Sequence, residues 1–170
     1  RSDNDALQLI ADFLAGYDIH MADLHTILPD IFAKAGVMTG KAPNKKQQAS
    51  INKAMAVLDA LGNYDVGQAI VIQQQRVLAI EAAEGTNAMI DRAGGNKLPD
   101  LLPPILVKMS KRGQNKQLDP PVIGAETITL AAKQGLTMIA IETGAVILAD
   151  RDDCLATAKR LGVSLIGVKG

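Results

Sequence analysis

Two apolar runs, Ala69 to Ile80 and Met138 to Ala149, constrain this chain more than any other feature. Each reads as an apolar hairpin followed by a helical period that closes on glycine: Asn87 to Ala93 after the first, Arg151 to Leu161 after the second. Thr143-Gly144 suits a two-residue turn, whereas Gln74-Gln75 suits one poorly. The likeness of the two units is an echo and does not establish a repeat. Hairpins mixed with helices predict a mixed sheet with helices packed on it, an α/β or α+β architecture.

Around these units the punctuation is clear. Leu7, Ile10, Ala11 and Leu14 recur at helical spacing after the polar stretch Ser2 to Asp5, and Gly16 supplies the stop. Tyr17 to Met21 is a short strand candidate, and Asp23 caps a brief helix interrupted at Pro29. Lys34 to Lys45, with Gly36, Gly40 and Pro43, reads as a loop that divides an N-terminal connector, residues 1–43, from a main domain, residues 44–170. Asn44 with Gln47 forms a capping box ahead of Ile51, Ala54, Met55, Leu58 and Leu61 on one helix face, with Gly62 at the exit. Between the two hairpin units come a strand, Ile105 to Met109, a polar loop, and a helix from Ala125 to Lys133 closed by Gly135. Val163 to Val168 forms the last strand.

A chain of 170 residues can bury roughly 70% of its unfolded surface and does not depend on disulfides or metal to fold. There is no Trp, and there are two Tyr and two Phe, so the core must be built from Ala, Val, Ile, Leu and Met. Platforms for stacking single-stranded nucleic acid are almost absent. Eighteen basic and eighteen acidic residues cancel, which argues against a nucleic-acid partner that needs a broad cationic face. Cys154 has no partner for an internal disulfide and reads as a small hydrophobe in a reducing compartment. No apolar run approaches the ~20 residues that span a bilayer, and no signal peptide opens the chain, so the protein is expected in the cytoplasm.

The segment from Lys111 to Gly124 carries the chemistry-bearing residues most densely: cations, amides, Asp119 and the Pro120-Pro121 pair, with no helical or strand period. It leaves the apolar run Ile105-Leu106-Val107 and enters a helix at Gly124, where free N–H groups and the positive dipole end suit phosphate. Asp119 sits on backbone stiffened by the prolines, which suits a group that must hold a metal or a water in place; an ordinary turn aspartate has the same local pattern. Glu81 and Glu84 stand at the end of an apolar strand, where carboxylates can hold Mg²⁺ or simply face solvent. Gly85 and Thr86 follow, Thr86 as the N-cap of the next helix, and are types that let phosphate approach backbone amides. Lys108, Lys111 and Arg112 place cations near Asp119 and Gln114 adds an amide, an arrangement able to offset charge on a pyrophosphate leaving group. His25 has no second ligand at metal spacing and reads as structural. No P-loop, GxGxxG, HExxH or nucleophile elbow occurs.

The segments Gly67-Gln68-Ala69-Ile70-Val71-Ile72 and Val77 to Met89, with Glu-x-x-Glu-Gly-Thr at Glu81 to Thr86 and Asp-x-Pro-x-Ile-Gly at Asp119 to Gly124, resemble the C-terminal domain of the LpxI-type UDP-2,3-diacylglucosamine pyrophosphatases. The resemblance extends over essentially the whole chain. It implies a Mg²⁺-dependent hydrolase of lipid A synthesis in a Gram-negative bacterium, cleaving UDP-2,3-diacylglucosamine to 2,3-diacylglucosamine 1-phosphate and UMP at the inner-membrane surface. It implies that Asp119 is the essential carboxylate, with Glu81 and Glu84 as further metal ligands and Lys108, Lys111, Gln114, Gly85, Thr86 and Gly124 on the substrate. It also implies a Rossmann-like domain ahead of this region, so the chain, which begins at Arg1 without Met, is read as a fragment. Two positions depart from the family: Asn87 stands where an aspartate is usual, and Lys116-Gln117-Leu118 stands where an arginine normally precedes the aspartate. Two other readings use the same residues. One is a non-catalytic module binding a nucleotide sugar or lipid phosphate; the other is an oligomer-forming domain with the loop at a subunit contact, and a homo-oligomer is left open.

Overall fold

The computed structural model of the chain describes residues 3–64, 66–111 and 119–170. Three of its described helices open on a side-chain cap. Asp23 accepts from the His25 N–H at 3.0 Å to open α2 (Leu24–Ile27), which follows α1 (Asp3–Ala15). A single 3-10 turn, Pro29–Ile31, then leads to β1 (Gly36–Thr39). Asn44 and Gln47 form the reciprocal capping box of α3 (Lys45–Gly62). There follow β2 (Ala69–Gln73), β3 (Arg76–Ile80), α4 (Gly85–Gly94), β4 (Ile105–Lys108), β5 (Val122–Ile123), α5 (Ala125–Lys133), β6 (Met138–Glu142), β7 (Ile147–Leu148), α6 (Arg151–Leu161) and β8 (Ser164–Val168).

The main sheet is six-stranded in the order β1-β8-β6-β4-β2-β3. β4, β6 and β8 pair in parallel, β2 runs antiparallel to both β4 and β3, and β1 runs antiparallel to β8. β3, β4, β6 and β8 therefore all end at the same edge. This is a mixed α/β sheet with helices on both faces. Side-chain alternation along β4 sends Leu106 toward one core, shared with Met89, Ile90, Ile128 and Cys154 of α4, α5 and α6. Ile105 and Val107 go to the other core, against Ile51, Ala54 and Leu58 of α3. No aromatic ring is needed to fill either, because β-branched and small residues interdigitate at this layer spacing.

Four local expectations are corrected. Tyr17 to Met21 forms no strand; Tyr17 and Asp18 donate back to the last turn of α1 and Asp18 takes a φ of 62°, so the backbone turns where a strand would extend. The stretch Lys34 to Lys45 contains β1, whose extension is imposed by pairing with β8 and not by its own apolar pattern. Gln74 and Gln75 do make the β2–β3 turn, with φ of 45° and 66°, the left-handed pair that matches strand twist; the Ser50 hydroxyl accepts the Gln75 N–H at 3.1 Å and helps hold it there. Thr143-Gly144 does not close a hairpin: β7 leaves β6 and pairs in parallel with β5 in a separate two-stranded sheet. The two units thus share a pattern but not a topology.

Candidate active site

In open sheets of this kind ligands gather beyond the carboxyl ends of the parallel strands. Three of the four strands ending there close an apolar run with a charged residue: Glu81 just after β3, Lys108 at the end of β4 and Glu142 at the end of β6. Lys108 is only 5% exposed and Glu81 only 6%. Burying such groups is costly unless each finds partners.

Lys108 follows Leu106 on the face covered by α4 and α5, and its ammonium finds partners there. It donates to the Thr86 hydroxyl at 2.8 Å and to the Val122 carbonyl at 3.0 Å. Thr86 in turn donates to Glu81 Oε1 at 2.6 Å, and the Gln68 N–H donates to Glu81 Oε2 at 2.9 Å. Burial pushes the Lys108 ammonium below the ordinary lysine range, while the negative charges of Glu81 and Asp119 pull it partly back. Asp119 is therefore close enough to be felt by the lysine. Glu81, Thr86, Lys108 and Asp119, scattered over the sequence, form one electrostatic cluster, and Lys108 ties β4 to the segment that leads into α5.

Glycine makes the cluster geometrically accessible. Gly67, at φ of +45°, lies so close to Glu81 that a Cβ there would stand 1.9 Å from the Glu81 carbonyl oxygen; only the bare backbone lets Gln68 reach the carboxylate. Gly85 takes φ of +81° at the start of α4. Gly124 is the extended N-cap of α5, with no side-chain cap bond and open space where a Cβ would point. The first turns of α4 and α5 are joined by the Thr127 hydroxyl donating to Asn87 Oδ1 at 3.0 Å, so Asn87 serves as a helix-to-helix tie.

Other expected residues fall differently. Glu84, not Thr86, is the N-cap of α4, and its side chain is taken by Arg92 in an ion pair; that pair holds its carboxyl below the usual range. Glu84 is thereby turned to the helix surface and not joined to the cluster. Lys111 and Asp119 both have interacting partners. Gln114 lies outside the described residues, as does Arg112. Among the described residues, no three His, Cys, Asp or Glu side chains come together to hold a metal ion. The oxygens of Glu81 and Asp119 are of the hard type Mg²⁺ takes, though both Glu81 oxygens already accept hydrogen bonds. A cavity of about 710 Å³ beside Asn44, Lys45, Gln74 and Leu101 lies at the opposite edge of the sheet, away from Glu81, Thr86 and Lys108.

Sequence reasoning missed Gln68, Ser110 and Glu142. The buried Glu142 carboxylate accepts from both the N–H and the hydroxyl of Ser110, at 2.8 and 2.6 Å. The signal that finds it is the one that marks Glu81 and Lys108: a charged residue closing an apolar run.

The family model described as the LpxI C-terminal domain matches residues 34–166, and the chain belongs to that family. It is 31% identical over 175 residues to the UDP-2,3-diacylglucosamine pyrophosphatase LpxI of Caulobacter vibrioides, an alignment covering 99% of this chain. The chain spans 62% of the length of that relative.

Proposed function

We propose that this protein hydrolyses the pyrophosphate bond of UDP-2,3-diacylglucosamine, releasing 2,3-diacylglucosamine 1-phosphate and UMP in lipid A biosynthesis. The substrate is the one in the relative's name, and the products follow from the bond we propose is broken; the chemistry is supported by one observation above the rest. A buried lysine at the carboxyl ends of the parallel strands is held between Glu81–Thr86 and the segment bearing Asp119. Two of its three N–H groups are spent on Thr86 and Val122, leaving one for an incoming oxygen. Water attacks one phosphorus, the bridging P–O bond breaks, and the second phosphate leaves. Asp119 orients the attacking water; Lys108, Lys111 and the α5 N-terminus at Gly124 offset the charge that gathers on the leaving oxygens.

Mg²⁺ would be held by Asp119 with the substrate phosphates completing its shell, since Mg²⁺ usually keeps one or two carboxylates, phosphate and water. When bound it supplies neutralisation of phosphate charge. None of the described helices is long and apolar enough to cross a membrane; the lipid substrate would be met at the inner-membrane surface from the cytoplasmic side.

Replacing Asp119 by Asn keeps the shape and removes the charge. Release of UMP should fall by roughly 10² to 10⁴, the usual contribution of such a group, while binding of the UDP-lipid and the melting temperature stay close to wild type. Asn serves a turn as well as Asp, so near-normal UMP release would return Asp119 to a purely structural role.

A further inference from the structure

The hydroxyl of Thr86 lies between two buried charged groups whose chemistry fixes the direction of both its hydrogen bonds. The Lys108 ammonium can only donate, and gives it an N–H at 2.8 Å; the Glu81 carboxylate can only accept, and takes its O–H at 2.6 Å. Donation therefore runs from Lys108 through Thr86 to Glu81. Glu81 is held in turn, because its other oxygen accepts the Gln68 N–H at 2.9 Å and Gly67, with no room for a Cβ, keeps that segment against it. A hydroxyl has one proton to give, and Thr86 gives it to Glu81. An ionised phosphate oxygen needs donors, so this hydroxyl has none left to offer a pyrophosphate. It can instead fix the ammonium. Lys108 carries its charge on a flexible four-carbon stem, and Thr86 on one side with the Val122 carbonyl at 3.0 Å on the other sets the direction that remains for its third N–H. Thr86, β-branched and in the first turn of α4, has few rotamers in which to reach both partners.

We propose that Thr86 is a positioning residue for Lys108, its hydroxyl oriented by Glu81 so that the remaining N–H of the ammonium is directed at a phosphate oxygen of the substrate. The inference rests on the reading that Lys108 serves the hydrolysis, and it removes the Thr86 hydroxyl from the groups that bind phosphate directly.

The test uses wild type, Thr86→Val, Thr86→Ser, Lys108→Met and the double variant of Thr86→Val with Lys108→Met, each assayed for UMP release from UDP-2,3-diacylglucosamine and for melting temperature. Thr86→Val keeps the shape and removes the hydroxyl. It should lose about tenfold in kcat, the worth of a hydrogen bond to a charged group, with KM within about twofold of wild type. Thr86→Ser keeps the hydroxyl and should recover most of that loss. The double variant should be no slower than Lys108→Met alone, because the hydroxyl acts through the lysine. Unchanged kcat in Thr86→Val, with or without a raised KM, a Thr86→Ser protein as slow as Thr86→Val, or the same fractional loss in both backgrounds overturns the inference while leaving Lys108 in place. Wild-type turnover by Lys108→Met instead overturns the underlying reading, and this inference with it; no release of UMP by wild type overturns the proposed function as a whole. Should Thr86→Val fail to fold, Glu81→Gln, which removes the charge that orients the hydroxyl but keeps an oxygen to accept from it, should lose roughly threefold in kcat, and that loss should vanish in the Lys108→Met background; no loss, or one that persists there, counts against the inference.

Discussion

Lys108 makes two predictions of opposite sign from one titration. Its ammonium is held below the ordinary lysine value of 10.5 by burial. Turnover that needs the charged form should therefore decline, as pH rises, through a midpoint lower than an exposed lysine would give. Stability moves the other way. Between the folded-state value and 10.5 the unfolded chain binds more protons than the folded one, so this group's contribution to stability rises with pH in that window; below it, the cost of the buried charge is fully present. The melting temperature of wild type relative to Lys108→Met should accordingly climb on the alkaline side while kcat falls. A kcat that falls only where an exposed lysine would titrate, or a melting difference that shrinks on the alkaline side, would separate Lys108 from the chemistry assigned to it.

At the scale of the element, the site depends on how tightly β3 is closed against the residues before β2. Gly67→Ala would place a methyl 1.9 Å from the Glu81 carbonyl at a positive φ of 45°, so the two segments must part. We expect a loss of about 2 kcal/mol or more in urea denaturation, together with slower turnover as Glu81 loses the Gln68 N–H. At the far end of the sheet, Asn44→Ala removes the α3 cap and should cost about 1 kcal/mol without touching kcat. A matching fall in kcat would show that the two ends of the sheet communicate.

The whole molecule divides its labour between two faces. The α3 face and the α4–α6 face each bury a separate apolar core, and the polar cluster sits only where four strands end together. Because both cores close on apolar side chains, stability should not depend on an ion even if turnover does. EDTA is expected to abolish UMP release and leave the melting temperature unchanged; a chelator-induced fall in melting temperature would mean a structural metal.

The residues that close apolar runs were readable in order. Glu81, Lys108, Gly85 and Thr86 were identifiable from their types and flanking patterns, and so were the helices α3, α5 and α6, because helical periods and closing glycines act over a few residues. Glu142 carried the same mark and was overlooked inside a presumed hairpin. Tertiary structure alone decided which strands lie side by side. It turned Thr143-Gly144 from a hairpin into a departure toward β5, recruited Gly36–Thr39 as an edge strand, gave Glu84 to Arg92, and brought Thr86 and Lys108, 22 residues apart, to 2.8 Å. Local backbone preference is written in neighbouring side chains, whereas strand order and the pairing of buried charges are settled by which long-range arrangement buries both apolar faces and still leaves Glu81, Lys108 and Glu142 their partners.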